Sequence, residues 1–418
     1  KYSVRVMALD STNEKRNSKW STVFFRTNAQ QILHSIGKYD AKDRYVNLSW
    51  PAGEQVTQMV VYAKDGTVVK TQALTAEQIA NGKATIDGLT PLTNYSVKLF
   101  NGNKQRGNRS FTTILDLNGA TVVSPGDDLA EAIKNAPVNA TIALYDTIYT
   151  VGSETAGKAG AAAVDKNISI MGIYASSPAT VKGRFELKDG AALTIKNVIL
   201  DGADNATPDQ VFNYKTADAH YGALTVENSE IKNYAKGFYY LNVSATVDAI
   251  RIDNCLIHDI ECDGGDMFDC RSGYIKTLTL SNNTIWNCAQ ERDFIRYDDK
   301  ASQFGNPVPV INLTSNTIYN CLNKANGKRL LYIRFNGKAD KQQITVANNL
   351  FVNTQAVYTN QNGTATPTYK NNYYFGCSNA NLFAASNAEE KLYWNGDTSG
   401  SNGANPQLAN PTKGNFTI

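Results

Sequence analysis

Residues 292–299 read RDFIRYDD, which places two arginines and three aspartates within eight residues that alternate as a β-strand does. Two further arginines, Arg271 and Arg334, lie in similar short segments, DCRSG at 269–273 and YIRFN at 332–336. Guanidinium groups bind carboxylates through paired hydrogen bonds, and clustered carboxylates hold calcium or transfer protons. The spacing therefore predicts either an ionic binding site or a network of surface salt bridges.

Aligning DCRSG, FIRYD and YIRFN as neighbouring strands predicts one inward and one outward column of side chains. The inward column consists of Cys270, Ile295 and Ile333. Because strand side chains alternate between faces, the arginines point outward in the second column: Arg271, Arg296 and Arg334. Further residues are predicted to bind ligand on this face: Tyr240, Asn242, Asp269, Arg292, Phe294 and Tyr332.

Three stacked guanidinium groups need negative partners. At the strand spacing of about 4.8 Å, neighbouring pairs repel by roughly 2 kcal/mol. One alternative is an exposed salt-bridge network with nearby acids, namely Asp266, Asp269, Asp293, Asp298 and Asp299. The other is a linear polyanion whose negative groups repeat along the stack. Carboxylated sugars fit this alternative, because planar arginine pairs with carboxylate and outward aromatic rings suit sugar stacking.

The composition excludes several classes of function. The 418 residues carry 41 Lys and Arg against 38 Asp and Glu, a net charge of +3, so nothing indicates nucleic-acid binding. No stretch of eighteen apolar residues predicts a membrane span. The three histidines, His34, His220 and His258, do not cluster, which argues against a zinc site or a Ser-His-Asp hydrolase.

The first part of the chain has the pattern of a β-sandwich. Short alternating strands such as VNLSWP (46–51) and VVYAKDG (60–66) are separated by turn signals, and Trp50 is expected in the core. The segment Leu89 to Tyr95, with the pattern L-x-P-x-T-x-Y, resembles the tyrosine corner of fibronectin type III domains. Residues 29–113 are therefore predicted to form such a domain. Residues 1–28 resemble the last two strands of a preceding copy, which implies a piece of a longer protein.

Residues 114–418 are predicted to form a second domain. Within it one unit repeats between residues 193 and 377: a short apolar alternation, an asparagine-containing turn and a second short strand. Copies begin at residues 193, 224, 250, 278, 311, 344 and 367. Nearly constant strands separated by loops of variable length predict a β-solenoid, in which each coil buries its face against its neighbours.

Two columns of equivalent residues run through these repeats. One carries asparagine, which tolerates a bent corner and can hydrogen-bond along the stack: Asn197, Asn228, Asn254, Asn282, Asn348 and Asn371, with Ser315 in place of one. The other carries Cys288, Cys321 and Cys377. Since no CxxC pair occurs among the six cysteines, we expect a stack of buried thiols rather than a disulfide framework.

SPGDDLAEAIKNA (124–136) predicts a short amphipathic helix with Leu129, Ala130 and Ile133 on one face, followed by a strand over 141–151. This pairing resembles the N-terminal cap of right-handed parallel β-helices of the pectate lyase type. The predicted fold is therefore all-β: a fibronectin type III sandwich followed by a right-handed, pectin-lyase-like β-helix with a short capping helix.

The stretch HDIECDGGDMFDCRSG (258–273) through RDFIR (292–296) resembles the active coil of the chondroitinase B and alginate lyase family. The resemblance implies calcium held by an acid-rich strand, a lysine base and an arginine one coil further. Asp266 matches one acid, Gly264 stands where another is expected, Arg271 occupies the lysine position and Arg296 matches the arginine.

Three catalytic and metal-binding options follow. Asp263, Asp266 and Asp269 are candidate Ca²⁺ ligands through their oxygens. Arg271 or Arg296 is a candidate base in a β-elimination, since the arrangement also resembles pectate lyases, which use arginine in that role. Hydrolysis by a carboxylate pair among Asp263, Asp266 and Asp298 is a further alternative.

The whole arrangement resembles cell-surface glycan-binding lipoproteins of Gram-negative, glycan-degrading bacteria. This resemblance implies outer-membrane anchoring, an extracellular position, neighbouring proteins of a glycan-uptake system and a monomeric chain. The favoured hypothesis is binding of an acidic, pectin-like polysaccharide by the arginine and aromatic face. A calcium-assisted polysaccharide lyase and an adhesive protein without a glycan ligand are the alternatives.

Overall fold

The computed structural model describes residues 2–25, 30–152, 157–323, 329–335, 343–354, 357, 359–360, 367–377 and 403–418. The chain divides into two compact units, Lys1–Asn118 and Gly119–Ile418, and each unit has its own hydrophobic core. The division falls a few residues after the predicted boundary at residue 113. No helix in these described ranges is long and apolar enough to cross a membrane.

The first unit contains short strands, one helix and a 3-10 turn at Glu14–Arg16. The elements are Tyr2–Val6 (β1), Ser21–Phe25 (β2), Val46–Ser49 (β3), Gln58–Ala63 (β4), Val68–Ala73 (β5), Ala76–Asn81 (α1), Lys83–Ile86 (β6), Asn94–Asn101 (β7) and Lys104–Thr112 (β8). β1 pairs with β2, β3 pairs with β6, and the order β5-β4-β7-β8 forms a four-stranded antiparallel sheet. Strands β3, β4, β6, β7 and β8 contribute to one core, in which Trp50 is buried as predicted.

The segment Leu89 to Tyr95 folds back on itself. The hydroxyl of Tyr95 accepts a hydrogen bond from the backbone N–H of Thr90 at 3.0 Å. Helix α1 was not predicted, although Thr75 and Gln78 form a capping box that the sequence T-A-E-Q signals. Assignment of this unit to the fibronectin type III family stays a prediction.

The second unit is built from short strands and a single α-helix among its described residues, with 3-10 turns at Ala301–Phe304 and Pro411–Lys413. In chain order the elements are Thr121–Val123 (β9), Leu129–Asn135 (α2), Ala140–Leu144 (β10), Ile148–Thr150 (β11), Ala161–Val164 (β12), Ile168–Gly172 (β13), Ala179–Lys182 (β14), Arg184–Leu187 (β15), Leu193–Lys196 (β16), Val198–Asp201 (β17), Phe212–Tyr214 (β18), His220–Tyr221 (β19), Leu224–Glu227 (β20), Glu230–Lys232 (β21), Tyr239–Leu241 (β22), Thr246–Asp253 (β23), Leu256–His258 (β24), Phe268–Cys270 (β25), Tyr274–Ser281 (β26), Thr284–Trp286 (β27), Ile295–Tyr297 (β28), Val310–Thr314 (β29), Thr317–Tyr319 (β30), Leu331–Ile333 (β31), Gln343–Ala347 (β32), Leu350–Val352 (β33), Thr359–Asn360 (β34), Thr368–Lys370 (β35) and Tyr373–Phe375 (β36).

These strands form three parallel sheets. Sheet A has the order β9-β10-β13-β16-β20-β23-β26-β29-β32-β35, with the short strand β19 also pairing with β23. Sheet B has β11-β14-β17-β21-β24-β27-β30-β33-β36, and sheet C has β12-β15-β18-β22-β25-β28-β31-β34. Each coil contributes one strand to sheet A, then one to sheet B, then one to sheet C. The predicted right-handed parallel β-helix is confirmed.

Inward side chains of successive coils stack into one continuous core. In sheet A, for example, a column of aliphatic side chains pairs strand by strand: Leu193, Leu224, Ile250, Leu278, Ile311 and Ile344. All six cysteines are free and buried, as predicted. Each coil thus gains its apolar contacts from the coils above and below it.

Helix α2 begins after Asp128, whose carboxylate accepts hydrogen bonds from the backbone N–H groups of Ala130 and Glu131. Its residues Leu129 and Ile133 are buried in the β-helix core, as predicted. The strand predicted over 141–151 is instead two strands, β10 and β11, because a solenoid corner interrupts it after Leu144.

The predicted asparagine column lies at the corner between sheets A and B, where each residue has a left-handed backbone. The φ angles lie between 50° and 58° for Asn197, Asn228, Asn254, Asn282, Ser315, Asn348 and Asn371. Asparagine adopts this conformation more readily than other non-glycine residues. Neighbouring corner residues also bond along the stack, as between Asn254 Nδ2 and Asn228 Oδ1 at 2.6 Å.

Candidate functional site

The charged segments lie on the outer face of sheet C, where β22, β25, β28 and β31 are neighbours. Strand pairing places Tyr240 beside Asp269, Asp269 beside Arg296, and Arg296 beside Tyr332. We call the following set the arginine face: Tyr240, Asp266, Asp269, Arg271, Arg296, Asp298, Arg329, Tyr332 and Arg334.

The predicted single column of arginines is wrong in its register. Ile295 pairs with Phe268, and Cys270 pairs with Tyr297 rather than with Ile295. The strand carrying Arg296 is therefore shifted by two residues relative to the prediction. The shift keeps Cys270, Ile295 and Arg296 on their predicted faces, because strand side chains repeat every two residues.

The result is an alternation of charge in two neighbouring columns. Asp269 lies beside Arg296 within the strands, while Arg271, Asp298 and Arg334 each follow the paired ends Cys270, Tyr297 and Ile333. Opposite charges thus become neighbours both along the strand and along the stack. The expected repulsion between stacked guanidinium groups is removed by the protein's own acids.

Asp269 and Asp266 lie beneath the arginines. Their side chains are only 0% and 4% exposed, whereas those of Arg271 and Arg296 are 28% and 24% exposed. Arg271 Nε donates to both carboxylate oxygens of Asp269 at 3.0 Å. Burial raises the pKa of Asp269 above its ordinary value, while the hydrogen bond from Arg271 opposes that rise. Asp269 also accepts the backbone N–H of Asp266 at 3.1 Å.

Asp266 joins the two arginines. Its Oδ2 accepts from Arg271 Nη2 at 3.3 Å and from Arg296 Nη1 at 3.0 Å. Its other oxygen accepts the backbone N–H of Asp293 at 3.0 Å. One buried carboxylate therefore fixes the positions of guanidinium groups from two coils.

Arg296 is held on its other side by Asp298, whose Oδ2 accepts from Nε at 3.1 Å and from Nη2 at 2.8 Å. Burial acts to lower the pKa of Arg296, but the hydrogen bonds and charges of Asp298 and Asp266 outweigh it and raise the pKa. The same balance, with Asp269 as the main partner, raises the pKa of Arg271. Both side chains therefore stay charged throughout the physiological range.

Tyr332 is surrounded by cations. The guanidinium carbons of Arg329, Arg334 and Arg296 lie 4.0, 4.8 and 5.3 Å from its ring centre. Arg329 itself donates to the buried carboxylate of Asp293 at 2.9 Å. Arg329 was missed by the sequence reasoning, and its only signal was its place just before YIRFN.

The remaining predicted ligand-binding residues have different positions. Tyr240 lies on the outer face, with the Arg271 guanidinium 5.7 Å from its ring centre. Asn242 is exposed and accepts a hydrogen bond from Ser272 at 3.0 Å. The prediction that Phe294 points outward is wrong: it is 0% exposed and packs against Phe268 in the core. The residue precedes β28 and follows the inward aromatic run of Phe212, Phe238 and Phe268.

The structure does not bring the three predicted calcium ligands together. Asp266 and Asp269 are engaged by Arg271, whereas Asp263 is exposed and lines a groove of about 890 Å³ together with Arg292. Within the described parts of the chain, no group of three or more His, Cys, Asp or Glu side chains is arranged to hold a metal ion. The predicted calcium site formed by Asp263, Asp266 and Asp269 is therefore wrong. The carboxylate oxygens of Asp266 and Asp269 bind guanidinium groups instead.

Fold and face together define the class of protein: a parallel β-helix with an ordered, charged outer face on one sheet. Two family models match parts of its chain. Residues 148–288 match a domain of unknown function, DUF4957, and residues 311–418 match another, DUF5123. Each match covers less than half of the chain. No curated protein matches it significantly.

Two solved structures have some similarity to the chain. A mutant of the PL6 family alginate lyase AlyGC is 16% identical with a TM-score of 0.47, over 77% of this chain and 44% of that chain. The family 28 exopolygalacturonase of Yersinia enterocolitica is 10% identical with a TM-score of 0.21, over 84% of this chain and 96% of that chain. This chain thus spans less than half the length of the alginate lyase.

Proposed function

We propose that the arginine face binds an acidic, uronate-containing polysaccharide of pectin-like charge. The ligand's carboxylates pair with the partly exposed guanidinium groups, and its sugar rings lie against Tyr240. Tyr332 is only 7% exposed and supports the arginines that lie around its ring. Successive coils present these groups at the strand spacing of about 4.8 Å. A linear chain running along the β-helix axis can therefore contact several coils at once.

One observation carries this proposal: Asp266 and Asp269 lie below the arginines that they bind. The carboxylates of Asp266 and Asp269 are buried, while the guanidinium groups that they hold remain open to water. Nη1 of Arg271 has no hydrogen-bond partner among the described residues. Prepositioned donors with spare N–H groups lose little conformational freedom when an anion binds.

Binding is better supported than elimination. A general base must release its proton near neutral pH, and the pKa values of both candidate bases, Arg271 and Arg296, are raised by their carboxylate partners. Neither residue is therefore suited to remove a proton. A charged guanidinium remains suited to pair with a uronate carboxylate.

The first experiment compares polymers. Affinity electrophoresis with polygalacturonate, alginate and chondroitin should show retardation that is absent with a neutral polysaccharide. Ultraviolet absorbance from an unsaturated product would identify a lyase instead. Equal retardation by neutral polymers, or none by any acidic polymer, would contradict the proposal.

The second experiment tests the face itself with Arg334→Ala. Arg334 is exposed and makes no ion pair with an acid in the described ranges, so its removal leaves no buried charge unpaired. Losing one charge-assisted contact should weaken binding by about 1.5–3 kcal/mol, measured by calorimetric titration of the retained polymer. The matched control is Arg251→Ala, which removes an exposed arginine from sheet A. If both variants bind equally well, the face is not the site.

We further propose a cell-surface setting, with the β-helix facing the exterior of a Gram-negative bacterium and passing glycan to an uptake system. A chain that captures a polymer from its surroundings must be exposed to them. Surface labelling of intact cells that express the full-length protein tests this placement.

A further inference from the structure

A pocket of about 310 Å³ lies next to the arginine face, shares Tyr240 with it and is also lined by Asn242. Its other lining residues include Asp209, Gln210, Asn213, Lys215 and Lys236. The volume is at the lower end of the roughly 300–1,000 Å³ typical of ligand pockets. It suits a single sugar residue rather than a length of chain.

Two buried carboxamides line the pocket. Gln210 and Asn213 are only 3% and 1% exposed. Asn213 Nδ2 donates to the backbone carbonyl of Gln210 at 3.3 Å, but its Oδ1 accepts no hydrogen bond from the described residues. The Gln210 side chain has no such bond to the described residues either. Buried amide groups normally have partners, so these two are suited to receive a ligand's hydroxyl groups.

The pocket also contains positive charge. Lys215 pairs with Glu186 at 2.7 Å and lies 3.7 Å from Asp209. Lys236 has neither an ion pair nor a side-chain hydrogen bond within the described residues. The ammonium group of Lys215 is thus neutralised within the protein, whereas that of Lys236 is available to bind an anion.

Resting on the proposed function, we propose that this pocket is a subsite for one uronate residue of the polysaccharide. Lys236 pairs with the carboxylate, Gln210 and Asn213 bond the ring hydroxyls, and the Tyr240 ring packs against the sugar. Arg271 lies over Tyr240 and thereby connects the subsite to the arginine face. The polymer is then anchored at one residue and extended along the guanidinium groups.

The test uses single sugars, which are too small to span the arginine face. Saturation-transfer NMR titrations of the intact chain compare galacturonate, glucuronate and mannuronate with their uncharged methyl esters. At least one free uronate should bind more tightly than its ester. Lys236→Ala should weaken that uronate about tenfold, the size of one charge-assisted contact, and leave the ester unchanged. Gln210→Ala should weaken both forms.

The matched control is Lys196→Ala, which removes an exposed lysine from sheet A. The subsite is refuted if no uronate binds. It is also refuted if Lys236→Ala changes the affinities for the uronate and its ester equally, or changes neither affinity. Polymer binding separates the two proposals. If the wild-type protein binds polygalacturonate and Arg334→Ala weakens that binding, the arginine face is supported as a binding site even when the pocket binds no uronate. When no acidic polymer binds, both fail.

Discussion

Single residues on sheet B carry a second ionic arrangement, centred on His258. Its Nε2 lies 3.0 Å from Glu230 Oε1, and its Nδ1 lies 2.7 Å from Asp259 Oδ2. The hydrogen bond from His258 lowers the pKa of Glu230 to about 2, against burial and with help from Lys232. Burial acts to lower the pKa of His258, but Glu230 and Asp259 raise it above 6.5. The imidazole also stacks on Trp286, with ring centres 4.1 Å apart.

These shifts give stability a defined pH dependence. Between the ordinary values of 4.5 for Glu230 and 6.5 for His258, both charged forms exist in the unfolded chain and both are stabilised by folding. The contribution is lost as pH rises through the raised pKa of His258, and as it falls towards about 2. Urea unfolding of wild type, Glu230→Gln, His258→Gln and the double variant should give a coupling energy of up to about 1 kcal/mol in this window. The coupling should fall towards zero once the pH exceeds the raised pKa of His258; a coupling that stays constant as His258 loses its proton would contradict the assignment.

At the arginine face, sequence reasoning placed Asp269 and Arg296 on the outer face of the sheet but gave the wrong register between their strands. Arg296 and Asp269 were both placed on the outer face, yet their adjacency was missed because a two-residue shift preserves the alternation. In the observed register, Phe268, Ile295 and Leu331 are paired on neighbouring strands and stack inside sheet C. The alternation of apolar and polar residues shows which side chains point inward, but it does not show which inward side chains pair on neighbouring strands.

At the scale of elements, the corner between sheets A and B holds a second asparagine column that is buried. It follows the corner residues by one position: Asn283, Asn316, Asn349 and Asn372. Asn316 Nδ2 donates to the carbonyl oxygens of Leu280 and Thr314, and its Oδ1 accepts the backbone N–H of Asn283 at 3.0 Å. Each carboxamide thus satisfies backbone groups that the corner leaves without strand partners.

Removing one member of this column should be costly. Asn316→Ala leaves buried backbone groups without partners, at about 1–3 kcal/mol each, so we expect the free energy of unfolding to fall by roughly 3 kcal/mol or more. Ser315→Asn, one residue earlier, should change it by less than about 0.5 kcal/mol or raise it, because asparagine suits the left-handed corner. Chemical denaturation of both variants checks the pair. Equal losses would show that the buried column is not structural support.

The sequence carried a signal for this column that the repeat alignment did not use. Asparagine occurs in consecutive pairs at 282–283, 348–349 and 371–372. The first asparagine of each pair occupies a corner position with a left-handed backbone, and the second occupies a position where a buried amide binds backbone groups. Only the first requirement follows from turn chemistry, since burial depends on the neighbouring coils.

At the scale of the whole molecule, the two units have separate cores, with no buried residue shared between them among the described residues. Two calorimetric transitions are therefore expected. Leu99→Ala in the first core and Leu200→Ala in the second remove equally buried leucines. Each should cost about 2–5 kcal/mol and shift only its own transition. A shift of both transitions by either variant would show that the units unfold together.

The solenoid was predictable as a whole because its repeat is visible in the sequence, and errors in single coils do not affect the repeat. Helix α1 and the corner that separates β10 from β11 were not predicted, since each occurs once and is decided by local caps and tertiary packing. A repeated strand pattern can be recognised because each copy supports the same prediction. A feature that occurs once, such as helix α1, has no second copy to support its prediction.

The six thiols in the core have a consequence for where such a fold can exist. Burial raises the pKa of Cys255 to about 12 and that of Cys377 to about 11, so neither is ionised at neutral pH. Disulfide exchange proceeds through accessible thiolates. Oxidants and reductants therefore find little to react with while the coils stay closed. Because all six cysteines are free and buried, the fold needs no disulfide bond. The cysteines therefore do not indicate whether the protein works in an oxidising or a reducing compartment.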